Sequence, residues 1–365
     1  MEARQRTSHV YGIDRHSVSL GALSSTTSTH SRFALGTLGI KEAGEIHIVN
    51  FDSDEGQLHS TIHTHTAGIR ALTAVPWDSN QLLVATTEGS DGVELLQVPT
   101  STGSAAHVVG RLAMAGDTGT VLAAWPMSST RQAAVGGGGA GGAHGVSVWD
   151  MGIMERTHSL AADELGAIAA HPQAASQLAT ADGSSIRTWD LRAPPGGGNG
   201  SGSQASVEFA HSGRVRALHY NPNMAHFLAS GGDDACVRIW DARRPAGPLA
   251  EMQNHTHWVH AVQFNAHHDQ LLLSAGSDAL VNLESAVSLS SAHAVGFGDD
   301  GDGDDDDDGE PRARDGLVAQ FDDHESAVYG VHWSDGDPWV FASLSADGRL
   351  VINAVPREEK YKVLM

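Results

Sequence analysis

Histidine, which can bind a metal or transfer a proton, is abundant in this chain, with 22 copies in 365 residues. Two pairs, His63/His65 and His255/His257, are spaced two residues apart, which on a β-strand places both side chains on one face. A zinc site needs further clustered ligands, and neither pair is accompanied by one. We therefore predict structural histidines and no metal site.

An acidic run, residues 299–308, is the second feature that could do chemistry. The segment from Asp304 to Gly309 fits the opening of an EF-hand calcium loop, and Asp315 falls at the twelfth position. Pro311 stands at the eighth position, Asp replaces the bidentate Glu, and no flanking helix is predicted. We predict a solvated acidic loop; docking of a basic partner segment is the alternative.

A glycine run satisfies the dinucleotide-binding pattern G-x-G-x-x-G at Gly137, Gly139 and Gly142. That pattern needs a helix after it, whereas GVSVWD, which follows, is typical of a strand. The chain also has no G-K-[ST], H-E-x-x-H or G-x-S-x-G sequence. We therefore predict no catalytic residue, no cofactor and no enzymatic activity.

Charge and composition limit the partners. The net charge is −22 and the 22 Lys and Arg residues form no cluster, which argues against direct binding to nucleic acid or anionic membrane. A single cysteine, Cys236, fits a reducing compartment, and no apolar stretch is long enough for a signal peptide or a membrane span. We expect a cytoplasmic protein that reaches membranes only through partners.

A repeat organises the chain, and three Trp-Asp pairs reveal it: Trp149-Asp150, Trp189-Asp190 and Trp240-Asp241, at intervals close to a propeller blade. The clearest copy runs from His211 to Asp241. Its His stands four residues before an aliphatic residue, and an acidic turn stands six residues before the Trp. Buried His, Asp and Trp side chains can hydrogen-bond in series, so these positions are predicted to be structural. They are His65, His211, Asp234, Trp240, His255, Asp278, His324 and Asp347.

Seven copies follow when an N-terminal one is added, with strands near residues 10–20, 32–36 and 45–51. This predicts an all-β fold, a seven-bladed WD40 β-propeller forming one domain over residues 1–365. The C-terminal KYKVLM either completes the last blade or pairs elsewhere.

Three glycine-rich or acidic segments interrupt the strand pattern and are predicted to be flexible insertions. Residues 135–143 lie inside blade 3, residues 194–204 are expected to join blades 4 and 5, and residues 292–316 are expected to join blades 6 and 7.

Five residues are candidates for binding partners. Arg214 and Trp258 precede the first strand of a blade, where loops at one rim carry recognition. Trp258 and Trp339 are also candidate aromatic anchors. Arg192 and Arg243 complete W-D-x-R sequences that resemble the box of propellers serving as substrate receptors of cullin-RING ubiquitin ligases. That receptor role is the alternative function.

The amino-acid sequences of several stretches resemble those of the family of WD-repeat proteins that interact with the EARP and GARP complexes. These stretches are HTHWVHAVQFNAHHDQLLLSAGSD from His255, DPWVFASLSADGRLVINAVPREEKYKVL from Asp337 and EIHIVNFD from Glu45. The resemblance implies a scaffold that binds endosomal and Golgi tethering complexes and supports their membrane recruitment, endosomal recycling, retrograde transport and secretory-granule cargo sorting. It implies a monomeric propeller within a larger complex, at the trans-Golgi network and endosomes.

Overall fold

A computed structural model describes residues 8–25, 27–39, 43–87, 92–99, 106–112, 117–126, 131–139, 144–192, 203–244, 246–291 and 315–364. In these ranges the chain forms strands β1–β28 and a C-terminal helix, α1 (Arg357–Leu364), with a 3-10 turn at Val287–Leu289. The strands make seven antiparallel four-stranded sheets, so the fold is the predicted seven-bladed β-propeller.

Blades 1 to 4 follow each other along the chain. Blade 1 contains β2 (Ser17–Leu23), β3 (His30–Thr37), β4 (Gly44–Asp52) and β5 (Gln57–His65). Blade 2 contains β6 (Ile69–Ala74), β7 (Gln81–Thr86), β8 (Val93–Gln97) and β9 (His107–Leu112). Blade 3 contains β10 (Asp117–Ala124), β11 (Gln132–Gly139), β12 (His144–Asp150) and β13 (Glu155–Ala161). Blade 4 contains β14 (Leu165–Ala170), β15 (Gln177–Asp182), β16 (Ser185–Asp190) and β17 (Ser203–Val207).

Blades 5 to 7 complete the ring. Blade 5 contains β18 (Val215–Tyr220), β19 (Phe227–Gly232), β20 (Val237–Asp241) and β21 (Ala250–Met252). Blade 6 contains β22 (Val259–Phe264), β23 (Leu271–Gly276), β24 (Val281–Ser285) and β25 (Gly316–Phe321). Blade 7 contains β26 (Val328–Trp333), β27 (Val340–Ser345), β28 (Arg349–Ala354) and, as its outermost strand, β1 (His9–Gly12).

The core consists of seven apolar clusters, each shared by two adjacent blades. The first strand of every blade contacts the first strand of the next, and β26 contacts β2, so the first strands line the centre of the ring. Middle strands are covered by neighbouring blades on both faces, which explains why β23, LLLSAG, is buried at every position. We call the side on which first strands begin the entry face, and the opposite side the exit face.

The two chain ends depart from the predictions. Residues 10–20 do not form one strand, because His9–Gly12 pairs with β28 of the last blade and only the next segment starts blade 1. The C-terminal KYKVLM does not form a strand either, since residues up to Leu364 are helical in α1. The first and last parts of the chain therefore share blade 7, and β1 closes the ring.

The insertions also lie elsewhere than predicted. Residues 135–139 belong to strand β11, so the predicted loop 135–143 is wrong there, and residues 140–143 lie outside the described residues. Residues 194–202 lie outside the described residues and 203–204 belong to β17, so the segment precedes or begins the fourth strand of blade 4 and does not join blades 4 and 5. Residues 292–314 also lie outside the described residues, and Gly316 begins β25, the fourth strand of blade 6, so the segment does not join blades 6 and 7. Both predicted insertions therefore come before the end of a fourth strand in the chain order.

Every first strand contains a one-residue bulge, at the second position in six blades and at the fourth position of β10 in blade 3. A bulge leaves the extra residue unpaired and turns its side chain away from the regular alternation. The bulge residues surround the mouth of the channel on the entry face, and they are Val18, Arg70, Thr120, Gly166, Arg216, His260 and Tyr329.

No helix in the described part of the chain is both long and apolar enough to span a membrane.

Candidate functional site

Blade 5 contains a complete hydrogen-bonded series of repeat residues. The Nε1–H group of Trp240 donates to Ser230 Oγ (2.9 Å), and this hydroxyl is 2.7 Å from His211 Nε2. The Nδ1 atom of His211 lies 2.7 Å from Asp234 Oδ1. The network assigns the imidazole tautomer that donates from Nδ1 to Asp234 and accepts from Ser230. The predicted structural role of His211, Asp234 and Trp240 thus has its physical basis in a buried chain that leaves no polar group unpaired.

A further residue, Arg238, pairs with the charged carboxylate of this network. Burial alone would raise the pKa of Asp234, but hydrogen bonds from Arg238 and His211 outweigh it and hold the pKa below its usual range. Burial lowers the pKa of His211 despite the nearby carboxylate, so the imidazole is neutral at physiological pH. Arg238 Nη1 lies 2.7 Å from Asp234 Oδ2, and the network therefore buries an ion pair beside a neutral histidine.

Blades 6 and 7 keep the His–Ser contact but replace the Trp. His255 bonds Ser274 (2.9 Å) and Asp278 (3.0 Å), and His324 bonds Ser343 (2.7 Å), while His324 Nδ1 has no partner among the described residues. The residue at the Trp position instead pairs with the residue just before the His, one being an acid and the other an amide. In blade 6 the acid stands at the Trp position, and in blade 7 the amide does. The pairs are Asn254–Glu284 (3.1 Å) and Asp323–Asn353 (3.2 Å).

Glu284→Gln is expected to stabilise the protein at neutral pH. Glu284 is fully buried, its Oε2 atom has no partner among the described residues, and burial raises its pKa. A raised pKa in the folded state means that stability is lost as the pH rises above the unfolded-state value, about 4.3. The amide removes that loss, which for an unsatisfied buried group is about 1–3 kcal/mol. Urea unfolding at pH 5 and pH 8 checks this, because the advantage of Glu284→Gln should grow with pH.

His65 occupies the predicted position before β6 but does not follow the repeat chemistry. Its Nε2 atom lies 3.0 Å from Glu94 Oε2 in the third strand of blade 2, and Glu94 also pairs with Arg111 (2.9 Å). The residue nineteen positions after His65 is Val84, where blade 5 has Ser230, so no hydroxyl is available to this imidazole. His65 thus contacts an ion-paired network that differs from the repeat network, and its structural role stays a prediction.

A group of cationic and aromatic side chains lies on the entry face of blades 5 to 7, and we call it the mouth arc: Arg216, His257, Trp258, His260 and Tyr329. The guanidinium carbon of Arg216 lies 4.4 Å from the centroid of the Trp258 ring. The His260 ring lies 4.8 Å from Tyr329 and 6.5 Å from Trp258. Burial and the nearby Arg216 lower the pKa of His260 to about 4, so His260 contributes a neutral imidazole.

Arg214 and Trp339, the other candidates chosen by position or as aromatic anchors, differ in their surroundings. Arg214 lies on the entry face next to the arc, donates to Leu165 O (2.6 Å) and approaches Glu164 (3.9 Å). Trp339 lies on the exit face, where it stacks on His268 (4.2 Å) and lies below Lys360 of α1 (5.5 Å). Those contacts make Trp339 part of the packing between blades 6 and 7 and the helix.

Arg192 and Arg243 lie on the exit face, each paired with the Asp of its own Trp-Asp sequence. Arg192 Nε is 3.0 Å from Asp190 Oδ1, and Arg243 Nε is 3.0 Å from Asp241 Oδ1. The Arg192 hydrogen bonds hold the pKa of Asp190 below its usual range. Both guanidinium groups are mostly exposed, so the W-D-x-R sequences form local ion pairs, and their binding to a ligase adaptor stays a prediction.

The described residues contain no group of three or more His, Cys, Asp and Glu side chains arranged to hold a metal ion. The acidic run 299–308 lies outside the described residues, and Asp315 accepts hydrogen bonds from Ser288.

Sequence reasoning found Trp258 and Arg214 by their place before a first strand, but it missed Arg216, His260 and Tyr329. A signal was present, because these three stand two residues after Arg214, Trp258 and Ala327 in the aligned repeats. The regular in–out alternation of a strand does not predict that these side chains point to the channel mouth. The bulge that places them there has no marker in the sequence.

Comparison with known proteins gives consistent matches. The model described as EIPR1 beta-propeller matches residues 146–284, and the WD domain, G-beta repeat model matches residues 316–352. The chain is 32% identical over 394 aligned positions to EARP and GARP complex-interacting protein 1 of Rattus norvegicus, covering 98% of each chain. The human protein of that name is also 32% identical, with 98% of each chain covered. WD repeat-containing protein DWA2 of Arabidopsis thaliana is 30% identical, covering 89% of this chain and 90% of the relative.

Proposed function

This chain belongs to the EARP and GARP complex-interacting protein family, and from that membership we propose that it is a non-catalytic scaffold that binds EARP and GARP tethering complexes. In this role it supports the membrane recruitment of the tethers, and through them endosomal recycling, retrograde transport and secretory-granule cargo sorting. It acts as a monomeric propeller in a larger complex, on the cytoplasmic side of the trans-Golgi network and endosomes.

The observation that carries this proposal is the 32% identity over 98% of both chains to relatives named for these complexes. The geometry is compatible with it, because the polar networks of blades 5 to 7 are built from repeat residues whose hydrogen bonds hold blades together. The mouth arc is an exposed surface of the kind that recognises proteins, with aromatic and arginine side chains in contact.

Affinity purification of the tagged full-length chain from its own cells, followed by mass spectrometry, tests the proposal. Tether subunits should be enriched over a purification with the tag alone. In cells depleted of the chain, less of the tether should sediment with membranes, while its total amount stays the same. Recovery of ligase-adaptor subunits without tethers would contradict the proposal and favour the substrate-receptor function of the W-D-x-R sequences.

A further inference from the structure

The exposed aromatic side chains of the entry face lie on one half of the ring. Phe209, Trp258 and Tyr329 are 84%, 42% and 37% exposed, and they lie at the starts of blades 5, 6 and 7. The remaining exposed aromatic side chain among the described residues, Tyr361, lies on the exit face in α1. Concentrated exposure of large apolar groups on one face of a folded protein marks an interaction surface.

The backbone of Phe209 points to the same conclusion. Its φ angle is +55°, in the left-handed region that a bulky residue rarely adopts. The side chain is almost fully exposed, so burial within this chain does not explain why a phenylalanine stands there. Backbone strain at an exposed residue is associated with functional sites, which makes Phe209 a candidate for recognition.

Charge distinguishes the channel mouth from the rest of the molecule. The whole chain has a net charge of −22, yet none of the seven bulge residues is acidic, and two, Arg70 and Arg216, are cationic. Arg70 makes no ion pair with another described residue, and Arg216 pairs with Asp233 at one edge of its guanidinium. Exposed carboxylates of Glu164 and Glu325 lie further out on the entry face, so it is at the channel mouth itself that an incoming carboxylate would meet arginine donors.

The side chains of the channel wall also differ among the blades three residues after the bulge of the first strand. The fifth position is His219, Gln263 and His332 in blades 5, 6 and 7. Three residues after the bulge, the equivalent residues of blades 1, 3 and 4 are Gly21, Ala123 and Ala169, and blade 2 has Thr73. Polar side chains therefore stand below the mouth in blades 5 to 7 and in blade 2, and those of blades 5 to 7 hydrogen-bond one another or a neighbouring backbone N–H.

We propose that the mouth arc, together with Arg70 and Phe209, binds an extended acidic segment of a partner protein that carries a large apolar side chain beside its carboxylates. The carboxylates interact with Arg70 and the free edge of Arg216, and the apolar side chain packs on Trp258 and Tyr329. This deepens the proposed function by naming the surface, and it rests on that function only for the identity of the partner.

A displayed library of random peptides, selected on the purified full-length chain, tests the recognition without a known ligand. Enriched peptides should carry an excess of Asp and Glu next to Phe, Leu or Trp. Their affinity, measured by fluorescence polarisation, should fall about tenfold or more with Arg216→Gln or Trp258→Ala, since such residues dominate interfaces of this type. It should also fall with added salt. Peptides without acidic enrichment, or with equal affinity for the variants, would overturn the proposal.

Matched variants on the exit face are the controls. Arg243→Gln removes an exposed arginine that is paired with an Asp, as Arg216 is, and Tyr361→Ala removes an exposed aromatic side chain. Both should bind the enriched peptides like the wild type. Phe209→Gly is the sharpest variant, because glycine tolerates the backbone angle. We expect it to weaken binding while the unfolding midpoint stays equal or rises, an outcome that a merely structural Phe209 would not give.

The same variants in the cellular purification separate this inference from the proposed function. Tethers recovered with the wild type and Arg243→Gln, but not with Arg216→Gln or Trp258→Ala, would support both. Tethers recovered equally with all four proteins would leave the proposed function standing and overturn the mouth arc as the tether-binding surface. If no tether is recovered with the wild type, the proposed function fails, and the peptide selection still decides the chemistry of the arc.

Discussion

A chain that lacks residues 1–12 is expected to lose about 4–6 kcal/mol of unfolding free energy and to associate in solution. Strand β1 forms four residue pairs with β28, and each backbone hydrogen bond contributes about 1 kcal/mol. Tyr11 packs against the cluster between blades 7 and 1 and hydrogen-bonds His47 of blade 1 (3.0 Å), which adds about 1–2 kcal/mol. Without β1, β28 becomes an open edge that can pair with another chain.

Urea unfolding and size-exclusion chromatography with light scattering measure both effects. A chain shortened only by residues 1–7 keeps β1 and is the matched control, which should unfold at the wild-type urea concentration. Equal midpoints for the two shortened chains would show that β1 does not hold the ring closed. A lower midpoint without association would show that the β28 edge is protected in another way.

How far the sequence predicts this structure depends on whether the signal is local. The spacing of His211, Asp234 and Trp240 lies within one blade, so the repeat and the number of blades were predicted correctly. The pairing of HVYG with β28 joins His9 to Ile352, and no local pattern in either segment indicates it. Ring closure and the start of blade 1 were therefore beyond sequence reasoning.

The misplaced insertions have a similar cause. The repeat markers are the His before the first strand, the acidic turn between the second and third strands, and the Trp in the third strand. Fourth strands such as β17 (SQASV) and β25 (GLVAQF) carry no repeat marker. Counting from His to His detects extra residues in a blade but does not say whether they precede or follow the fourth strand. The pairing of β17 and β25 as fourth strands, which places the insertions within blades along the chain, needed the structure.

The mouth arc was predictable only in part. Trp258 and Arg214 were found because position before a first strand is a property of the repeat. The contact of Arg216 with Trp258 and of His260 with Tyr329 joins adjacent blades, and it depends on bulges that the residue types do not encode. Trp339 had the same residue type as Trp258, but its partner is the helix α1, which was not predicted.

The equivalent aspartates of blades 5 and 7 should differ strongly when each is replaced by alanine. Asp234→Ala is expected to cost about 3–5 kcal/mol, because it leaves Arg238 and His211 buried without their carboxylate. Asp347→Ala is expected to cost about 1–2 kcal/mol, since Asp347 mainly accepts from Ser345 and the backbone N–H of Arg349.

Urea unfolding at several pH values measures the difference and its origin. The pKa of Asp234 is held below its usual range, so its stabilisation is present above the unfolded-state value, about 3.9, and is lost as the pH falls through the folded-state pKa. The gap between wild type and Asp234→Ala should therefore be largest at neutral pH and shrink in acid. His211→Ala, which also leaves Asp234 without one donor, should add little to Asp234→Ala in the double variant. Equal and additive losses for Asp234, His211 and Asp347 would mean that the blade 5 residues act independently and not as one hydrogen-bonded series.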